Sequence, residues 1–147
     1  MSRTIYTQDG VQTSLLESKI AELKRSCNAA ITAGIDVETS QGIEHFSLST
    51  EDQINIQNLV FQITTGAPVV LYHSDGEICR PFTAEEFGAV AASAVRHVTF
   101  HTTRINHFKA WAERTADPDE LQLISYSSEL PDDLAASIIA LLGGGAE

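Results

Sequence analysis

The chain has 147 residues, a formal net charge of −11 and an ordinary hydrophobic fraction of 43%. That is long enough for one domain with a sizeable core and a small appendage, and too short for two full domains. An acidic surface repels phosphate backbones and anionic lipid headgroups, so neither nucleic acid nor a membrane is expected as a partner.

The predicted elements follow in chain order. In TSLLESKIAELKRSCNAAITAG, Ser14 stands three residues before Glu17, the spacing of a capping box. Leu16, Ile20, Leu23, Cys27, Ala30 and Ile31 then recur at helical intervals, with a charged back of Lys19, Glu22, Lys24 and Arg25, until Gly34 stops the helix. IDVETSQGIEHFSLS predicts a hairpin turning at Ser40, Gln41 and Gly42, with Phe46 and Leu48 on one face and His45 and Ser47 on the other.

A second helix opens on Ser49 with Asp52, or on Thr50 with Gln53, and buries Ile56, Leu59, Val60 and Ile63 before Gly66 closes it. PVVLYHSDGEICRPF predicts a second hairpin around Asp75-Gly76. A long third helix reaches to about Arg114, opened by Thr83 and Glu86 as a capping box and by Phe82 and Phe87 as a hydrophobic staple. Its core face carries Phe87, Val90, Ala94, Val98, Ile105, Phe108 and Ala112. The step ITAG at Ile31 to Gly34 returns as ITTG at Ile63 to Gly66, so the unit of helix, glycine and hairpin is written twice. Two copies are too few for a solenoid.

The expected architecture is α+β: three main helices with two short β-hairpins, plus a short C-terminal amphipathic helix. Residues 1–13 read as an N-terminal arm, 14–115 as the helix–hairpin–helix–hairpin–helix domain, and 116–147 as an acidic connector with the last helix. After Arg114 there is no Lys or Arg, while Asp117, Asp119, Glu120, Glu129, Asp132, Asp133 and Glu147 are all acidic. Pro131, Asp132 and Asp133 open the final helix, and Leu134, Ile138, Leu141 and Leu142 form its apolar side. Alone it is marginal in water. It docks either on its own core or in a groove on another subunit, and Leu134, Ile138, Leu141 and Leu142 are the candidate partner-binding residues.

Candidate chemistry is sparse. His97 and His101 stand four apart on one helix, a spacing that can present two imidazoles to a metal, but no HExxH and no carboxylate at a matching offset supplies a third ligand. His107 and Trp111 read as a packed pair at the helix end, and Glu85 and Glu86 as complements to the helix dipole rather than an acid–base pair. Cys79 could meet His73 across the second hairpin as a thiol–imidazole pair; a strand cysteine in the core is the plainer expectation, and Cys27 and Cys79 are both expected as buried free thiols. No GxSxG elbow frames a nucleophile, and Gly143 to Gly145 form no phosphate loop but a frayed end. The polar MSRTIYTQDG has no hydrophobic signal core and no apolar run approaches the ~20 residues of a bilayer span, so a cytoplasmic protein is expected.

The segments ELKRSCNAAITAGIDV, GIEHFSLSTEDQINIQNL, LYHSDGEICRPFTAEEFGAV and RHVTFHTTRINHFKAW resemble a domain-of-unknown-function family from tailed bacteriophages and prophages. The matching positions are Arg25, Ala33, Gly34, Phe46, Asp52, Gln53, Asn55, Ile56, Gly76, Phe82, Thr83 and Val90, within residues 18–115; Tyr72 stands where the family often has Trp, and the acidic tail lies outside the resemblance. The resemblance implies a role in a virion tail or its assembly, with phage tail, baseplate or tail-fibre proteins as partners and no catalytic residues or cofactor to carry over. It is compatible with a homo-oligomer, and it implies a protein of the bacterial host cytoplasm during assembly and of the virion tail if structural. Two alternatives stand beside the structural role: a tail-fibre assembly chaperone absent from the mature particle, and a metal-binding or enzymatic accessory protein using His97 and His101.

Overall fold

The computed structural model describes the backbone of residues 8–143 and side chains from Thr13. Its described elements run α1 (Gln8–Ala33), β1 (Ile35–Thr39), β2 (Gly42–Phe46), α2 (Thr50–Thr64), β3 (Val69–Tyr72), β4 (Arg80–Thr83), α3 (Ala84–Arg114), α4 (Pro118–Leu123) and α5 (Asp132–Leu142). The fold is α+β, with three main helices, two separate antiparallel hairpins and short C-terminal helices. The described residues divide into two compact units, one of residues 29–100 and one of residues 8–28 together with 101–143.

The hairpin unit, residues 29–100, is organised around aromatic rings. β1 pairs β2 from Ile35 opposite Phe46 to Thr39 opposite Gly42, and β3 pairs β4 from Val69 opposite Thr83 to Tyr72 opposite Arg80. Alternation along the strands sends Ile35, Val37, Phe46, Val70, Tyr72 and Phe82 inward, where they meet Leu48, Ile56, Phe87, Val90 and Ala94. Phe46 stacks on Tyr72 at 6.1 Å, and Phe82 meets Phe87 edge-on at 5.9 Å. Gly34 turns the chain from α1 into β1 with φ +90°, and a Cβ there would stand 2.1 Å from Phe46 O. Only glycine fits that junction.

Local capping rules place α2 and α3. Ser49 Oγ accepts from Asp52 N–H while the Asp52 carboxylate accepts from Ser49 N–H, so the Ser49 box is the one that forms; Gln53 instead donates to Leu48 O. Thr83 Oγ1 accepts from Glu86 N–H at 3.1 Å, but the Glu86 side chain does not return to the cap, because Arg80 and Ser40 N–H engage it. Within α2 only Ile56 is fully buried, and Val60, expected inside, is exposed together with Ile54 and Phe61. The β3–β4 connection is longer than the two-residue turn that Asp-Gly suggests, because Asp75 is used to bind β2: its N–H donates to His45 O, and its carboxylate accepts from Ser47 N–H and the Ser47 hydroxyl.

The helical unit has its own core of Leu23, Phe108, Ala112, Leu121 and Ile124, flanked by Leu15, Leu16, Ile105, Trp111, Tyr126 and Leu130. Helix α1 begins at Gln8, so Ser14 lies inside it and caps nothing, and residues 8–13 of the expected arm are helical. No proline interrupts them, and a single internal glycine costs only about 1 kcal/mol. Residues 1–7 of that arm, and Gly144 and Gly145 of the expected frayed end, lie outside the described residues.

Candidate contact surface

The segment after Arg114 is the surface the sequence singled out, and its first half is no free tether. Asp117 accepts from Asp119 N–H and Pro118 occupies the first turn, which starts α4 within the acidic connector. Leu121 and Ile124 are then buried against Phe108 and Leu23. Lys19, read as part of the charged helix back, is only 7% exposed. Its ammonium donates to Gln122 O at 3.2 Å and Ile124 O at 2.6 Å, and pairs with Glu22 at 3.1 Å. A helix C-terminus leaves carbonyls without partners, and a cation satisfies them in both hydrogen bonding and dipole.

Helix α5 is held differently. Asp133 and Ser137, four residues apart and hence on one flank, carry its side-chain hydrogen bonds to α3. Arg114 donates to both Asp133 oxygens at 2.7 Å, and His107 Nε2 meets Ser137 Oγ at 2.9 Å. The bidentate guanidinium, and smaller contributions from backbone N–H groups, pull the Asp133 carboxyl down to about 2. No residue of α5 is fully buried: Leu134, Ile138 and Leu142 are mostly covered, while Leu141 is 66% and Ile139 58% exposed. Gly143 ends the helix with φ 71° and its N–H on Ile139 O. Of the four candidate partner-binding residues, three are shared between the chain and solvent and one, Leu141, is open; Ile139 joins the open surface, off the expected stripe.

The histidines are engaged locally. His97 is buried and donates from Nε2 to Ala30 O at 3.0 Å; His101 Nδ1 lies 2.8 Å from Tyr126 Oη. His107 donates from Nδ1 to Thr103 O, and Trp111 packs on Phe108 at 5.7 Å. No group of three or more His, Cys, Asp or Glu side chains that could hold a metal occurs among the described residues. Cys27 is buried beside His101 O, and burial pushes its thiol up despite the opposing hydroxyl of Tyr126. Cys79, expected in the core, is an exposed free thiol because it precedes the first residue of β4.

Two polar clusters lie in the hairpin unit. Arg80 donates to Glu44 at 2.6 Å and Glu86 at 3.3 Å, with its guanidinium 3.8 Å over the Phe82 ring. Burial alone would raise Glu44, but hydrogen bonds from Thr39, Arg80 and Ser74 outweigh it and hold the carboxyl below its usual range. Glu86 is lowered chiefly by Ser40 N–H, and then by Arg80. In the second cluster His45 lies between Asp36, Asp75 and Ala33 O. Between α2 and α3 an apolar groove of about 240 Å³ is lined by Gln53, Ile56, Gln57, Ala94, Val95, Val98 and Thr99.

Residues 15–125 match the family described as Domain of unknown function (DUF4376). The matched stretch runs past Arg114 through α4 and stops before α5. No curated protein and no solved structure matches the chain.

Proposed function

The chain belongs to that family of domains of unknown function, and we propose that it is a non-catalytic tail- or baseplate-associated structural protein of a bacteriophage or prophage, acting through protein–protein contacts. The observation that supports this reading most is the half-open apolar side of α5. A helix that covers most of Leu134, Ile138 and Leu142 but leaves Ile139 and Leu141 exposed retains hydrophobic area for a second surface. The acids around it, unrelieved by any Lys or Arg after Arg114, favour a partner that sets cationic side chains beside an apolar groove.

A second reading is a tail-fibre assembly chaperone. It is favoured by the way α5 is held, through an exposed ion pair and a hydroxyl–imidazole contact that a partner can exchange at small cost. Quantitative mass spectrometry of purified particles beside their lysate separates the two. A fixed ratio to tail proteins supports the structural role, and abundance in lysate with absence from particles supports the chaperone. Absence of co-purifying tail, baseplate or fibre proteins from both would refute the contact reading.

A further inference from the structure

We propose that His45 is a pH-operated latch, closed when its ring carries two protons, which fastens the last turn of α1 to the first hairpin and to the loop between β3 and β4. Three separate segments aim oxygen at this ring. Nδ1 lies 2.7 Å from Asp36 Oδ1 on β1, and Nε2 lies 2.6 Å from Ala33 O at the end of α1. Asp75 Oδ2, in the β3–β4 loop, stands 3.8 Å from Nε2. A neutral imidazole has one N–H and one lone pair, so it must turn the lone pair toward an oxygen in this setting; only the doubly protonated ring satisfies both sides.

The groups around it act in one direction. Asp36 and Asp75 are acidic, and Ala33 is the last residue of α1, so its carbonyl belongs to the negative end of the helix dipole. His73, on the same loop as Asp75, acts on Asp75 and donates from Nδ1 to Ser74 O. The hydrogen bond to Asp36 is the largest influence on His45 and raises its pKa; burial opposes this, and the Ala33 carbonyl and the two aspartates reinforce it. A group raised in the fold stabilises fully below its unfolded value, about 6.5, and loses that contribution as pH rises through the folded value. The latch is therefore closed in mild acid and opens toward alkali. The ring is 45% exposed, so protons reach it without any prior opening.

The state of the latch is read by nuclear magnetic resonance on the full chain between about pH 5 and about pH 9, the range that brackets a raised histidine. The expected result is a His45 ring midpoint above that of an unstructured histidine, with the Gly34, Ser47 and Asp75 amide resonances moving at the same midpoint. Asp36→Asn is expected to lower the midpoint, and His45→Gln to remove the amide transition and the loss of melting temperature that accompanies it. Amides that ignore the ring titration, or a ring midpoint at or below the unstructured value, would overturn the proposal. Should His45→Gln fail to fold, Asp36→Asn decides: an unmoved midpoint overturns the latch.

Discussion

The two glycines that end the echoed ITAG and ITTG steps can be told apart by substitution with alanine. Gly34 and Gly66 both sit at positive φ, 90° and 112°, a conformation that costs a residue with a Cβ roughly 1–2 kcal/mol. At Gly66 the added methyl meets nothing within 4 Å, so Gly66→Ala should cost about that and no more. At Gly34 the methyl would lie 2.1 Å from Phe46 O and 2.8 Å from Phe46 C and Ser47 Cα. All are backbone atoms, so relief requires β2 to move and to carry Phe46 away from Tyr72 and Phe82, an overpacking penalty of about 1–3 kcal/mol or more. The expected totals are about 2–5 kcal/mol for Gly34→Ala against about 1–2 for Gly66→Ala. In a chain of this size they correspond to roughly 10 °C and roughly 4 °C of melting temperature. Urea unfolding followed by circular dichroism, beside a thermal melt, measures both. Equal losses, or a larger loss at Gly66, would refute the close approach at the α1–β1 junction.

Lys19→Met keeps the buried stem but removes the donor to Gln122 O and Ile124 O, and should cost about 2–4 kcal/mol with faster amide exchange through α4; a loss under ~0.5 kcal/mol would contradict the cap. Ending the chain after Pro131 removes the mostly covered Leu134, Ile138 and Leu142 and should cost about 2–4 kcal/mol. Ending it after Thr115 also removes the fully buried Leu121 and Ile124 and should cost about 3 kcal/mol more, so comparable denaturation midpoints would refute this division. Arg80→Met should cost about 2–3 kcal/mol at neutral pH by leaving Glu44 and Glu86, whose side chains are 13% and 16% exposed, without their shared cation. Both carboxyls are lowered in the fold, so their contribution is present above the ordinary carboxylate range and fades as pH falls through the folded values. The deficit of Arg80→Met should accordingly shrink on acidification, and a deficit that grows would count against the network.

Features settled by neighbours in sequence were legible before the fold was known. Ser49 and Asp52, Thr83 as a cap, Gly34 and Gly66 as stops, and Pro131 and Gly143 around α5 follow from contacts a few residues long, and the inward Phe46 and Leu48 from strand alternation. Features settled by distant partners were not. Lys19 has the spacing of a solvent-facing residue, and only the carbonyls of Gln122 and Ile124 make its burial favourable. Leu121 and Ile124 are too few to give a periodic signal, although Asp117 before Pro118 is a helix-start signal that could have marked α4. Val60 fits the stripe of Leu59 and Ile63, but the exposed side of α2 extends to it, and periodicity does not report how wide a groove is. For the candidate surface, the apolar stripe of α5 was visible, while its polar attachment through Asp133 and Ser137 was not, since Arg114 and His107 lie on another helix.

The reach of Lys19 to Ile124, 105 positions along the chain, bears on how the protein emerges from the ribosome. Every residue of the hairpin unit's core is synthesised before the segment that covers the helical unit's core begins. At about 5–20 residues per second, Leu23 and its neighbours on α1 wait on the order of seconds for Phe108, Leu121 and Ile124. For that interval the first helix made is the last to be sheltered, and a nascent chain halted near residue 100 would present it to holding chaperones or to aggregation.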